Sequence, residues 1–368
     1  MKLISFVVFN IVETLLRFFP FPSKTGLLKI GNPGPDSPVF LTCNYHLTVQ
    51  RVKRALRGID AYLLLANSRG VNVWCAASGG HLTNHDVISA LKTSGTEELV
   101  NQRKVILPQL AGTGVEAQVI QKKTGWKVIW GPVYAKDIPF FLKNRLKKTP
   151  KMREVRFPWT QRLEMAAAWA FPISLLGGLI AILVSPGILI PLVCLVWGLS
   201  LSIFITFPLY SSWLNSERKR LGFSLISSGI VLLALVAFSL ISANFSWRFL
   251  FRWGLLSFIV IFILSIDLKG STPLLKSGFL QDRRLKVILD EGKCKGAGFC
   301  EQICPKNCFE VDEIQHRAKM PGAERCIRCS ACIVQCPFDA LLFESPKGER
   351  IGPEIIRKFK LNLFRKRL

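Results

Sequence analysis

Four thiols stand at the spacing C-x2-C-x2-C-x3-C in Cys326-Ile-Arg-Cys329-Ser-Ala-Cys332-Ile-Val-Gln-Cys336, and Pro337 closes the run. Soft thiolates at this spacing, followed by proline, are the ligand run of a bacterial-type iron–sulfur cluster. Structural zinc is the competing use of grouped cysteines, but it favours separated pairs rather than a tight triplet. An imperfect copy lies upstream: Cys294-x5-Cys300-x3-Cys304-Pro305, with Ala297 where its second cysteine belongs and Cys308 four residues on. In two-cluster runs the fourth cysteine of each ligates the other cluster. Cys326, Cys329, Cys332 and Cys304 therefore make one complete [4Fe-4S] set. The other set has Cys294, Cys300 and Cys336. It is completed either as a [3Fe-4S] cluster or by Cys308, whose bland alternative is a buried apolar residue beside Phe309. Electrons pass through such a module one at a time and at low potential.

The second chemical candidate is Asn72-Val73-Trp74-Cys75-Ala76-Ala77-Ser78-Gly79-Gly80. A cysteine follows an aromatic, and small residues that allow close backbone approach follow the cysteine. A large flat ligand could lie over such a loop, although composition alone describes a buried cysteine equally well. His46, His81 and His85 read as polar surface or cap residues, and no D-x-H-x-x-G run accompanies them. Cys43 and Cys194 read as structural.

The elements that hold these residues differ along the chain. Val39–Cys43, Ala61–Ala66, Lys104–Leu110 and Trp126–Trp130 read as buried strands. Thr48–Leu56, Asn84–Lys92 (N-capped by Asn84), Val115–Lys123 and Asp137–Leu146 read as helices. This alternation predicts an α/β domain with a mainly parallel sheet over 39–160. Ligands in such sheets bind beyond the carboxyl ends of the strands, where the Cys75 loop falls. Before it, Ile4–Phe19 reads as an interfacial helix interrupted by Glu13 and Arg17, and the prolines of 20–38 as a linker.

Apolar runs at Met165–Val184, Ile188–Leu209, Phe223–Ala243 and Leu250–Ile266 are each about 20 residues, enough to cross a bilayer as helices. They define a four-helix transmembrane domain over 161–270. Basic clusters flank it: Lys143–Arg162, Arg218–Arg220, and Lys269, Lys276, Arg283 and Arg284. With four spans all three clusters share the cytoplasmic side, and only Arg248 and Arg252 lie at the outer end. The expected location is the inner (cytoplasmic) membrane, multi-pass, with both soluble domains in the cytoplasm. The last domain, 271–368, reads as an α+β bacterial-type dicluster ferredoxin with a basic tail.

The net charge of +25 could attract nucleic acid, but the basic residues border apolar spans and fit anionic headgroups better, so no nucleic-acid partner is expected. Eight of the 11 cysteines lie between Cys294 and Cys336, which is cofactor usage in a reducing compartment rather than a disulfide framework. A transporter is disfavoured, because the spans carry almost no ionisable residues in their middles.

The Asn72–Ala77 hexapeptide resembles the signature of the corrinoid protein of the microbial mercury-methylation pair. Gly31-Asn32-Pro33, Asn44-Tyr45, Ile106–Leu110, Gly131-Pro132-Val133 and Asp267–Pro273 are similar to that family too. The C-terminal module resembles its ferredoxin partner, so the chain reads as a fused HgcA/HgcB-type protein. The resemblance implies a cobalamin-type corrinoid lying over Asn72, Val73, Trp74, Cys75, Ala76, Ala77, Ser78 and Gly79, with the Cys75 thiolate as lower axial cobalt ligand. A strong donor trans to a cobalt–methyl bond favours departure of the methyl group with its electron pair, which suits a soft acceptor such as Hg(II). The implied partners are a methyl-donor protein or methylated pterin, a low-potential electron donor, Hg(II) and the membrane. The chain departs from the family at Ser78-Gly79, where the motif continues Gly-Lys, at Ala297, and in having no cysteine after Cys336. The expected activity is a corrinoid iron–sulfur methyltransferase acting on inorganic mercury or a related soft acceptor. The alternative is a membrane ferredoxin that passes electrons to a partner without methyl transfer.

Overall fold

The computed structural model describes residues 11–17, 19–211, 213–214, 217–242, 245–268, 285–312 and 314–359. Residues 4–10, most of the Asp267–Pro273 signature, the basic residues from Lys269 to Arg284, and the 364–368 tail lie outside them. The chain forms two compact units.

One unit joins Pro20–Val155 to the described part of Lys276–Leu368. Its larger sheet has the order β1-β3-β2-β4-β5, from β1 (Gly26–Ile30), β2 (Val39–Cys43), β3 (Ala61–Ala66), β4 (Lys104–Leu107) and β5 (Lys127–Trp130). The last four are mutually parallel, with Leu41 opposite Leu64, Phe40 opposite Ile106 and Ile106 opposite Ile129. Every residue of β2 and β3 is buried, as their unbroken apolar runs require of strands covered on both faces. β1 lies antiparallel on β3, with Leu28 opposite Leu63. It falls in the stretch read from sequence as linker, because a five-residue strand with only one buried face gives a weak apolar signal. The sheet is therefore mixed.

The chain runs from β2 through α1 (His46–Ala55) to β3, then crosses back over β2 to β4. The direction of winding reverses between β2 and β4, which opens a crevice at their carboxyl ends. Two segments occupy that edge: α2 (Val73–Ser78), which follows β3, and the 3-10 turn Gln109–Thr113, which follows β4. Lys104–Leu110 thus splits into a shorter strand and this turn, since Pro108 cannot donate to the ladder. α3 (Asn84–Thr93) starts at a capping box between Thr83 and Asp86. Asn84 is not the cap. It exchanges hydrogen bonds with Glu116, the residue before α4 (Ala117–Thr124).

The C-terminal part of the same unit has a small antiparallel sheet, order β10-β9-β6, built from β6 (Lys286–Leu289), β9 (Leu341–Glu344) and β10 (Arg350–Ile351). A hairpin of β7 (Glu310–Asp312) and β8 (Arg317–Lys319) accompanies it. Two short helices, α5 (Phe299–Ile303) and α6 (Ala331–Gln335), carry cysteines. Each follows a residue in the left-handed region, Gly298 (φ 74°) and Ser330 (φ 62°), so the two cysteine runs are structural repeats. Leu107, Ala111 and Val115 share one apolar cluster with Ile303, Ile333 and Val334. The α/β fold and the cysteine-bearing fold have a common core.

The other unit contains the described residues of Met1–Phe19 and Arg156–Leu275. Its helices are α7 (Trp159–Val184), α8 (Leu189–Tyr210), α9 (Glu217–Ile241) and α10 (Trp247–Asp267). Four helices are thus long and apolar enough to cross a membrane. α7 and α8 form a hairpin through the turn at Pro186–Ile188, pinned by Ser200 Oγ donating to Ala166 O at 2.8 Å. Leu183, Leu209, Leu233 and Ile241 stand exposed on their outer faces, which is costly in water and favourable against lipid. A helical turn at 11–15 belongs to this unit, and Arg17 is paired with Glu164 at 3.1 Å.

Candidate functional site

Cys75 is the third residue of a six-residue helix, too short to be stable alone. Tertiary anchoring supplies what length does not: Val73, Trp74, Ala76 and Ala77 are buried, while Cys75 and Ser78 are half-buried. Asn72 caps the helix, its Oδ1 accepting from Cys75 N at 3.0 Å. Ser78 Oγ donates back to Trp74 O at 2.6 Å. The sequence pattern showed a loop here, since six residues give too little periodicity to mark a helix. Asn72→Ala removes the cap and should destabilise the protein by about 1 kcal/mol, read as a lowered thermal midpoint. Asn72→Asp, which keeps the acceptor, should restore most of it.

Gly79 follows the helix, and a Cβ there would stand 2.6 Å from Cys75 O. The lysine carried at this position by the mercury-methylation family could enter only if the last turn shifted.

The 3-10 turn Gln109–Thr113 packs against α2 on one side and against α5 and α6 on the other. Two glycines make both contacts close. A side chain on Gly114 would collide with the carbonyl oxygens of Ala77 and Leu82, and one on Gly112 would meet Ile303. Gln335, 3 % exposed, locks the arrangement. Its Nε2 donates to Gly112 O at 2.8 Å and Val115 O at 2.6 Å, and its Oε1 accepts from Ala117 N at 3.2 Å. Gln109, 1 % exposed, is held from the other direction: Nε2 donates to Arg153 O at 2.9 Å and Ile303 O at 3.3 Å, and Oε1 accepts from Lys148 Nζ at 2.6 Å.

Lys148 also donates to Gln302 O at 2.8 Å. Burial, with Arg153 as a secondary cause, holds its pKa well below the usual lysine value. Arg153 pairs with Glu301 at 2.9 Å, and Val155 N donates to Pro305 O at 2.8 Å. Polar groups buried this fully are costly unless paired, so these bonds fix the position of the cysteine module on the α/β fold. None of them was legible in the sequence, because the partners of a buried glutamine lie some two hundred residues away.

The cysteines separate into two groups. Cys308 hydrogen-bonds to both Cys304 and Cys326, and Cys304 and Cys326 in turn influence the half-buried Cys329 and the buried Cys332. The bond to Cys308 draws the Cys304 thiol down to about 7 and lowers Cys326 as well, while Cys308 is raised. Backbone N–H groups point at the sulfurs as well: Cys308 N to Cys304 Sγ at 3.3 Å and Arg328 N to Cys326 Sγ at 3.4 Å. The other group is Cys294, Cys300 and Cys336, which line a separate half-enclosed cavity. Burial pushes Cys300 up to about 12. Sequence reasoning had offered Cys308 to this second group, but its side chain faces the first. Among the described residues no group of three or more His, Cys, Asp or Glu side chains is placed to hold a single metal ion.

His81 lies beside the end of α2, its Cδ2 3.6 Å from where a Gly79 Cβ would be. His46 Nε2 is 3.0 Å from Gln50 Nε2 on α1. Cys43 is buried at the end of β2, where burial raises its thiol pKa.

Two family models match this geometry. Residues 18–142 match the CO dehydrogenase/acetyl-CoA synthase delta subunit family, and residues 322–342 match a 4Fe-4S binding domain. The chain thus has one segment similar to the CO dehydrogenase/acetyl-CoA synthase delta subunit family and one similar to 4Fe-4S binding domains. An acetyl-CoA decarbonylase/synthase complex subunit gamma of Archaeoglobus fulgidus is 39 % identical over 116 residues, 31 % of this chain and 24 % of that protein. The gamma subunit of Methanothermobacter thermautotrophicus is 35 % identical over 119 residues, 32 % and 26 % of the two chains. A gamma 2 subunit of Methanosarcina mazei is 35 % identical over 129 residues, 34 % and 27 %. The similarity spans about a quarter of each relative's length.

Proposed function

We propose that this chain is a membrane-anchored, corrinoid-dependent methyl-transfer protein that carries its own electron supply. The observation that carries the proposal is the turn Gln109–Thr113, packed between the Cys75 helix and the two helices that bear cluster cysteines. A fold that only scaffolded, or only stored electrons, would not need a half-buried thiol on a capped helix at the carboxyl edge of its sheet. The residues present fit a corrinoid in chemistry. Cys75 offers a soft sulfur donor that is half-buried rather than sealed in the core. A corrinoid bound there supplies a cobalt that carries the methyl group. Asn72 and the buried Trp74 hold Cys75 in place as its axial donor, and Cys304, Cys326, Cys329 and Cys332 hold a [4Fe-4S] cluster that delivers electrons.

The similarity to acetyl-CoA decarbonylase/synthase subunits supports methyl-transfer chemistry, while the Asn72–Ala77 signature supports Hg(II) or a related soft acceptor. The four apolar helices support a multi-pass membrane location. One compact unit is built from sequence segments before and after those helices, which supports an even number of crossings. The basic clusters support the cytoplasmic side for that unit. A methyl-donor protein or methylated pterin and a low-potential reductant complete the partners.

The test is anaerobic purification, reconstitution with cobalamin, and assay of bound cobalt and of methyl transfer to Hg(II) and to thiols. Stoichiometric cobalt with transfer to Hg(II) is the expected result. Cobalt with transfer only to other acceptors would remove mercury from the reading. No cobalt would leave a membrane iron–sulfur electron carrier.

A further inference from the structure

The two cysteine groups are unequal, and the inequality follows from the internal repeat. Cys294, Ala297, Cys300 and Cys304 correspond in order to Cys326, Cys329, Cys332 and Cys336, and Gly298 corresponds to Ser330 in both sequence and left-handed backbone. The correspondence continues past the prolines to Cys308 and Ala340. Each of these donates its backbone N–H to the cysteine four residues before it, Cys308 to Cys304 Sγ at 3.3 Å and Ala340 to Cys336 Sγ at 3.4 Å. Cys308 is therefore fixed by the fold to the group containing Cys304 and Cys326, to both of which its side chain bonds. Ala340, not Cys308, borders the cavity of Cys294, Cys300 and Cys336. That cavity is partly open to solvent, and Ala297 lines it where the repeat has Cys329. Cys294 Sγ accepts from Ala318 N at 3.4 Å, so two of its three sulfurs receive backbone N–H groups, as those of the complete set do. Apart from the three cysteines, Lys295 supplies the cavity's one polar side chain, and an ammonium is no ligand for iron.

We infer that this cavity is a second iron–sulfur site, held by three thiolates and open at the corner facing Ala297. It carries a [3Fe-4S] core that gains and loses a fourth iron. Uptake adds Fe2+ to [3Fe-4S]0 to give [4Fe-4S]2+: the entering iron bonds to three core sulfides, no electron is transferred, and solvent takes its outer position. Loss is the reverse, and an outer-sphere one-electron oxidant such as ferricyanide takes one electron from [3Fe-4S]0 to give [3Fe-4S]+ and the reduced oxidant, which traps the open form. The matched 4Fe-4S segment, residues 322–342, includes Cys336 but neither Cys294 nor Cys300. The inference rests on the iron–sulfur part of the proposed function and is independent of corrinoid binding.

The experiment is electron paramagnetic resonance with iron analysis on the full-length protein, purified anaerobically in detergent without added corrinoid and mildly oxidised. Wild type should show the signal of an oxidised three-iron cluster. Ferrous iron with dithionite should remove that signal and raise bound iron by one atom per chain. Ala297→Cys should abolish the signal under the same oxidation, and Cys308→Ser should leave it unchanged. Absence of the three-iron signal in wild type would overturn the inference, as would its appearance only in Cys308→Ser, which would make Cys308 the fourth ligand. Should Ala297→Cys fail to fold, the iron add-back and Cys308→Ser still decide. A chain with no iron at all would overturn the iron–sulfur reading too, whereas loss of corrinoid binding would leave this result untouched.

Discussion

Cys75→Ala should lower methyl transfer by at least about 100-fold, because even outer-sphere partners of a metal site are worth 10- to 100-fold and a direct donor is worth no less. The fold should survive. Cys75 is half-buried, alanine favours the helix, and the cap bond runs from Cys75 N to Asn72 Oδ1, which the substitution keeps. The iron–sulfur signals should therefore be unchanged while the cobalt spectrum shifts to that of a form lacking the sulfur donor. Transfer at the wild-type rate would remove the assigned role of Cys75. A spectrum that shifts toward nitrogen ligation would point to His81 at the end of the same helix, and Cys75→Ala/His81→Ala would then lose what the single variant kept.

The parts of this protein that could be read along the chain are those whose signal is local. β2 and β3 are unbroken apolar runs and lie where the sequence puts them. The four apolar helices are long enough to identify themselves, although α7 begins at Trp159, a turn and a half before its apolar run. Short or one-faced elements escaped: β1 within a proline-rich stretch, and α2 around Cys75. α3 begins at Asn84 as read from the sequence, but its cap is Thr83; both residue types cap, and the Thr83–Asp86 capping box and the bond from Asn84 to Glu116 tell them apart. For the cysteines, spacing alone paired the four of the complete set and left Cys308 open. The repeat geometry, in which Cys308 and Ala340 donate equivalent backbone N–H groups, is what bears on it. Least legible of all was the contact between the two folds. Nothing about a glutamine before Cys336, or glycines at 112 and 114, announces in sequence that they meet.

That contact yields the second large effect. Gln335→Leu keeps the approximate volume and the helix but strands three buried groups: the carbonyls of Gly112 and Val115 and the amide of Ala117. Each costs about 1–3 kcal/mol unless the module moves away to let water in. Moving away is the cheaper response, since the tethered module remains at high effective concentration and rebinding is intramolecular. A loss of about 3 kcal/mol lowers the docked fraction by up to about 100-fold, and reduction of the cobalt by the module's own clusters should slow at least tenfold. The clusters' resonance signals and cobalt content should stay as in wild type, and hydrogen exchange should quicken at the Gly112–Ala117 amides. Gln335→Glu separates docking from simple damage to the adjacent Cys336. It keeps the acceptor for Ala117 N but turns a carboxylate toward two carbonyl oxygens, which raises its pKa in the docked state. Docking, and with it the reduction rate, should then recover as the pH falls through that raised pKa, a dependence wild type lacks. Gly112→Val makes the same test from the other side, pressing on Ile303 beside Cys304 and leaving Gln335 and its neighbour Cys336 unchanged. If all three variants reduce cobalt at the wild-type rate, the turn is a structural joint only, and electrons reach the Cys75 site from a separate donor.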